Sequence, residues 1–273
     1  MCGLAGIVIG KKYSNKELKR VKELFTQILI AHEERGKEAT GVAAISPHSG
    51  YIMAKSPIPA SEFVRSKKYE NFLKKVTKKA TILLGHTRKP TKGTHWNPKN
   101  NHPIVYGKTL GVHNGTIKND DFLFQYEGLK RNAEVDSEVI FSLLNQVSYS
   151  NFLEDLISDV QKTIRKLNGS FTTISVNLEY PRKVLILKYN QPLSYHYSES
   201  LKTLFFTSRY IFLRKAFGRS VVTEALSGKT GFLFDLSVEN VKEGEPEKKF
   251  PILSGDDYLK MLTNDRMNIN QDK

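Results

Sequence analysis

Met1-Cys2-Gly3-Leu4-Ala5-Gly6-Ile7-Val8-Ile9 opens the chain, and its reading decides the rest. Leu4, Ala5, Ile7, Val8 and Ile9 form an apolar run of strand length. It is far short of the roughly 20 residues of a membrane helix, and it lacks the basic region and cleavage site of a secretory signal. The run therefore places Cys2 at the start of a buried strand. Cys2 is the only cysteine, which excludes an internal disulfide and a thiolate zinc cluster. A lone cysteine is commonly a small buried hydrophobe, but this position adds a second reading. Methionine ahead of a small side chain is the setting in which the initiator is trimmed. Cys2 would then carry a free α-amine, with an ordinary pKa of about 8, next to its own thiol. An N-terminal nucleophile of this kind brings its own general base.

The scaffold follows outward from this strand. Ser14 and Glu17 form a capping-box pattern, and Leu18, Val21, Leu24, Phe25, Ile28 and Leu29 recur at helical spacing until Gly36. Stretches 41–45 and 51–55 read as strands around the turn residues Pro47-His48-Ser49-Gly50. A basic helix is expected over 65–79, from Arg65 to Lys79, with Phe63, Val64, Phe72, Leu73 and Val76 inward. Strands at 82–86 and 109–113 flank a loop, 87–103, rich in Pro, Gly and Asn. Helices are expected at 139–147 and at 152–167, the second capped by Asn151. Strands return at 171–177, 184–189, 193–197, 204–208 and 231–236. This order suggests two sheets with helices packed outside them, not a regular βαβ repeat. Beyond Ser237 the run Glu243-Gly244-Glu245-Pro246-Glu247-Lys248-Lys249 reads as a linker, and 256–262 as a short helix. Residues 1–236 are accordingly read as one domain and 237–273 as a C-terminal tail.

Composition fits a folded, cytoplasmic protein: 39% hydrophobic and 26% charged residues. The 42 Lys+Arg against 28 Asp+Glu leave a net charge of +14, which favours contact with something acidic, whether nucleic acid, a phosphorylated molecule or an acidic subunit. The stretch 65–79 holds seven of these cations and one Glu, and is the candidate surface for such a partner, although a charged helix face is usually just solvated. Gly228-Lys229-Thr230 lacks the preceding glycine spacing of a phosphate-binding loop and reads as a turn. Seven scattered histidines give no metal spacing.

Chemistry concentrates at element ends. Gly85-His86-Thr87-Arg88 closes one expected strand, Val112-His113-Asn114-Gly115-Thr116 another, and Asp136-Ser137-Glu138 opens a helix. An Arg can grip a carboxylate through its planar fork. An Asp can accept from an ammonium, and an Asn side chain with a neighbouring Gly N–H can stabilise an oxyanion. Each has a plainer reading: Asn114-Gly115 as a tight turn, Asp136 as a helix cap, Arg88 as a surface cation, His86 and His113 as core histidines that orient loops.

Taken together, these stretches resemble the class II glutamine amidotransferases, which are N-terminal-nucleophile hydrolases. Met1-Cys2-Gly3-Leu4-Ala5-Gly6, Arg35-Gly36, Thr40-Gly41, Gly85-His86-Thr87-Arg88, Asn101-His102-Pro103, His113-Asn114-Gly115 and Asp136-Ser137-Glu138 carry the likeness in order, over roughly residues 2–236. The flavour is that of the glutaminase domains of glucosamine-6-phosphate synthase and amidophosphoribosyltransferase. The resemblance implies an α+β, four-layer αββα sandwich and hydrolysis of L-glutamine to glutamate and ammonia without a cofactor or metal. It implies Cys2 as nucleophile and Asn114 and Gly115 as oxyanion hole. Arg88 and Asp136 would hold the α-carboxylate and α-ammonium of glutamine, with Thr91 and Gly93 in a loop that closes over it. Lys89-Pro90 and Lys92 depart from the family pattern in that loop. Only 37 residues follow the expected domain, so a separate ammonia-accepting enzyme is expected, or else a free-standing glutaminase. The alternative is a catalytically silent basic binding protein on the same fold.

Overall fold

The computed structural model describes residues 2–149, 152–218, 221–237, 244–255 and 257. β1 (Gly3–Ile9) is buried along its whole length. Leu4 and Val8 enter one core cluster, while Ala5, Ile7 and Ile9 enter another on the opposite face. A strand covered on both faces has no polar side to show, hence its unbroken apolar run. The capping box starts α1 (Asn15–Ala31): Glu17 N–H donates to Ser14 Oγ at 3.2 Å, and Ser14 N–H to Glu17 Oε2 at 2.7 Å. A 3-10 turn, His32–Arg35, then ends the helix at Gly36 as expected. β2 (Ala39–Ser46) and β3 (Gly50–Ser56) form the anticipated hairpin.

The continuous basic helix expected over 65–79 is instead two short ones, α2 (Ala60–Phe63) and α3 (Lys67–Lys75). Ser66 separates them. Its hydroxyl donates to the Phe63 carbonyl and accepts from Tyr69 N–H, ending one helix and capping the next. Phe63, Phe72 and Val76 are buried as the pattern required.

β4 (Ile82–Arg88), β5 (Ile104–Tyr106) and β6 (Thr109–Ile117) follow, then α4 (Asp120–Tyr126), α5 (Ser137–Leu144) and α6 (Leu153–Ile164). The last two helices stop short of the expected 147 and 167. Asn145 turns its side chain to the Lys108 N–H at 2.7 Å, and 166–167 close on carbonyls only three residues back. The expected cap Asn151 lies outside the described residues, as does 256–262 apart from residue 257. β7 (Gly169–Asn177), β8 (Lys183–Tyr189), β9 (Ser194–Ser198), β10 (Thr203–Thr207), α7 (Tyr210–Phe217), β11 (Glu224–Ala225), β12 (Thr230–Asp235) and β13 (Lys248–Pro251) complete the order.

Two antiparallel sheets result, in the orders β11-β9-β10-β1-β4-β2-β3 and β13-β12-β8-β7-β6-β5. Their inner faces meet through Leu4, Leu84, Val112, Ile174, Ile186 and Phe206. Outside the first sheet lie α1, α2, α3 and α7, packed through Phe25, Phe63, Tyr69 and Leu213. Outside the second lie α4, α5 and α6, through Phe124, Ile140 and Val160. The molecule is a four-layer αββα sandwich.

One boundary is corrected. Lys248 and Lys249, read as linker, begin β13, which pairs with β12, and Phe250 and Ile252 are buried in the core beneath α6. The sheet thus extends past residue 236. Charged residues on an edge strand protect it from foreign pairing, and they also give it a linker-like composition.

Candidate active site

Strand parity places the site. In β1, β4 and β6 the even-numbered apolar residues (Leu4 and Val8, Ile82 and Leu84, Leu110 and Val112) point between the sheets. Cys2, His86, Arg88 and Asn114 have the same parity, so a period of two carries them to the same layer at one end of the sandwich. His86 Nε2 accordingly reaches across the gap to the His113 carbonyl at 2.9 Å.

The backbone around Cys2 is fixed from two sides. Arg35 Nε donates to the Cys2 carbonyl at 2.6 Å, and Leu4 N–H donates to Ser208 Oγ at 2.6 Å. The half-buried Cys2 thiol lies 3.4 Å from the Lys89 N–H. Burial pushes the thiol pKa up, against the opposing pull of that N–H and of the Arg88 guanidinium. A thiol held protonated in this way needs a base beside it before it can attack.

Cys2, Arg88, Thr91, Gly115 and Asp136 line one cavity of about 20 Å³, with Lys92, His102 and His113 also in its wall. Asn114 sits in the chain between two wall residues, His113 and Gly115, and is not itself in the wall. Its side chain is buried, and neither its Oδ1 nor its Nδ2 has a hydrogen-bond partner. Such a group carries an unmet desolvation cost unless a ligand or water completes it. Gly93 is not in the wall; its carbonyl accepts from Arg88.

Three of the plainer readings fail. Asn114-Gly115 is not a turn but the interior of a nine-residue strand. Gly115 has φ +139°, and a Cβ there would fall 2.0 Å from the Ser170 carbonyl oxygen, so the backbone itself demands glycine. Asp136 stands at the N-cap of α5 without a side-chain capping bond; its Oδ2 instead accepts from Ile117 N–H at 2.7 Å, joining α5 to the end of β6. Arg88 is not a surface cation either, being 3% exposed. Its guanidinium is already engaged, donating to Asn101 Oδ1 at 2.9 Å and to the carbonyls of Lys92 and Gly93 at 2.7 and 2.8 Å.

His86 and His113 are indeed core histidines. His113 Nδ1 pairs with Ser137 Oγ at 2.7 Å, tying β6 to α5. The His102 ring stacks on His86 with centroids 4.1 Å apart, and neither of its nitrogens has a partner. Burial lowers the pKa of all three from the usual histidine value, that of His102 well below it and that of His86 to about 3, which favours the neutral ring at pH 7. Among the described residues no group of three or more His, Cys, Asp or Glu is arranged to hold a metal ion.

Comparison with known proteins bears on this arrangement. The chain is 32% identical over 198 residues to a glutamine–fructose-6-phosphate aminotransferase (isomerizing) of Sulfurisphaera tokodaii, spanning 71% of this chain and 31% of that one. The corresponding enzyme of Buchnera aphidicola is 24% identical over 226 residues, 79% of this chain and 34% of its own. A 7-cyano-7-deazaguanine synthase of Saccharolobus solfataricus is 24% identical over 211 residues, 76% and 43% of the two chains. The glutamine PRPP amidotransferase of B. subtilis superposes over 92% of this chain and 49% of its own, with a TM-score of 0.66 at 16% identity. The chain resembles the glutaminase portion of the class II glutamine amidotransferases. It spans about a third of the length of the aminotransferase relatives, and no family model matches it. The N-terminal-nucleophile fold of the amidotransferases accounts for the two facing sheets.

Sequence reasoning missed one feature beside this cavity. Lys92 Nζ lies 2.7 Å from both Asp120 Oδ2 and Asp121 Oδ1 at the start of α4, and Arg131 Nη2 lies 2.8 Å from each. Two cations and two carboxylates thus fasten the loop after β4 across the cavity. The signal was the acidic first turn of α4, a helix that the sequence reading did not anticipate.

Proposed function

We propose that the chain hydrolyses L-glutamine to glutamate and ammonia. The Cys2 α-amine, freed by removal of Met1, takes the thiol proton, and the thiolate attacks the glutamine Cδ carbonyl. The Asn114 side-chain N–H and the Gly115 backbone N–H receive the oxyanion. Collapse to a γ-glutamyl thioester expels the nitrogen, which leaves as ammonia with the proton returned by the amine; water then attacks the thioester and releases glutamate. Arg88 receives the α-carboxylate and Asp136 the α-ammonium. Thr91 and Gly93 belong to the loop that must open, since about 20 Å³ admits a water and not an amino acid. The ammonia passes to a separate acceptor enzyme.

The observation that carries this reading is the buried, unpartnered amide of Asn114 beside a cavity walled by Cys2, Gly115, Arg88 and Asp136. The test is a glutaminase assay with intact-mass analysis of the N-terminus. Glutamate release by protein that begins at Cys2, lost in Cys2→Ala with the melting temperature retained, supports it. Full activity with Met1 present and blocked contradicts it. Absence of turnover in correctly processed protein would favour the silent binding protein.

A further inference from the structure

A second and larger cavity, of about 680 Å³, opens where β1 ends at Ile9. Seven residues of strand separate Ile9 from Cys2, about 23 Å at the usual rise, so this is the far end of the sandwich from the nucleophile. Its rim is built from four separate segments of chain. Lys12 follows β1, His48 sits in the turn between β2 and β3, Lys78 and Lys79 precede β4, and Arg182 precedes β8. Its floor includes Ile9, Tyr13 and Ala80, all nearly buried.

The cations at this rim converge on one cavity. Lys67 and Lys74 of α3 share Glu70 and Lys183 pairs with Asp235, while Lys11, which also lines the cavity, pairs with Glu17. The other four cations, Lys12, Lys78, Lys79 and Arg182, make no ion pair among the described residues, and none of the described residues lining the cavity is a carboxylate. Four like charges gathered around one concavity repel each other, and a polyanion seated between them relieves that repulsion. The volume lies within the range of about 300–1,000 Å³ typical of small-molecule sites. The shape argues against a nucleic-acid strand, because the cations ring a cavity and do not track along a groove. The floor also offers no free aromatic face for a base, since Tyr13 is buried with its hydroxyl on Thr203.

We propose that this cavity binds a small molecule carrying two or more linked phosphate groups. The exposed lysines and Arg182 hold the phosphates at the rim, and the apolar floor receives the organic part. Pyrophosphate tests the charge recognition alone, and ATP adds an organic moiety. Orthophosphate and a short DNA duplex are the comparators. Titration calorimetry on the full chain near physiological salt is expected to show saturable one-to-one binding of pyrophosphate and ATP, with orthophosphate at least tenfold weaker. The pair Lys79→Glu/Arg182→Glu should weaken both at least tenfold. The pair Lys68→Glu/Lys130→Glu makes the same charge change away from the cavity and should leave them unchanged. All four positions are exposed, and equal melting temperatures check that the variants fold. Lack of saturable polyphosphate binding overturns the proposal. So does equal weakening by both pairs, which would reduce the effect to net charge, and so does tighter binding of the duplex than of ATP.

Discussion

Lys92 Nζ lies 2.7 Å from Asp120 Oδ2, a contact that fastens the loop after β4 to the first turn of α4. Asp120 is 5% exposed, so its charge needs a permanent partner, and Arg131 supplies a second one at 2.8 Å. Removing Lys92 therefore frees the loop without leaving Asp120 alone. In Lys92→Ala the backbone amides of 91–94 should exchange with solvent about fivefold faster, as expected for the loss of about 1 kcal/mol from a partly exposed ion pair. Amides of β1 and β6 should be unaffected. Unchanged exchange at 91–94 would mean that the Arg88 hydrogen bonds alone hold the loop.

Asn114 poses stability against catalysis. Its buried amide has no partner, so Asn114→Ala removes an unmet polar group, and the melting temperature should hold or rise. In the proposed reaction the same change deletes an oxyanion donor, and kcat for glutamine should fall by on the order of 10²–10³ with little change in KM. Steady-state kinetics and a thermal melt on one preparation measure both. A kcat within twofold of wild type would return Asn114 to a purely structural role.

The reach of the sequence differs between these two sites. Cys2, Arg88 and Asn114 were legible as candidates from their places at element ends and the order of their motifs, and strand parity, a local property, is why they reach one layer: each sits an even number of residues from an apolar side chain that faces the other sheet. Which strand lies beside which was not legible, since β1 pairs with β4 and β10, partners about 80 and 200 residues away. The hydrogen bonds of Arg88 to its own loop were hidden for another reason. They depend on how 89–93 folds back, and no periodicity constrains a loop. α7 escaped notice because Tyr210 and Ile211 are exposed while Phe212 and Leu213 are buried, so eight residues give too little of a repeating stripe.

The buried histidines make stability depend on pH in a defined direction. His86 is held at about 3 and His32 at about 4, both by burial, against an unfolded value near 6.5. Between those limits the unfolded chain binds more protons than the folded one, so stability is full above pH 6.5 and is lost as pH falls towards 4 and 3. His86→Gln can keep the donor to the His113 carbonyl without titrating. In urea unfolding between pH 4.5 and 6, the variant should show a slope of stability against pH shallower by about 1.4 kcal/mol per unit, the weight of one proton. An identical slope would show that His86 takes up its proton in the folded state.

Arg88 braces its own loop and, in the proposed reaction, also holds the substrate carboxylate; one substrate analogue separates the two. Three of its five N–H groups are engaged by Asn101, Lys92 and Gly93, which leaves two for a ligand carboxylate. Wild-type protein should prefer glutamine over its decarboxylated analogue by about 10–150-fold in kcat/KM, the worth of a hydrogen-bonded charge. In Arg88→Ala that preference should shrink to near unity, because the partner of the carboxylate is gone, and exchange at 91–94 should rise because the loop has lost two bonds. Arg88→Lys keeps the charge but not the planar fork, so it should recover part of the preference and little of the loop protection. If Arg88→Ala loosens the loop yet still discriminates against the analogue as wild type does, Arg88 is a brace and the carboxylate is read by another group.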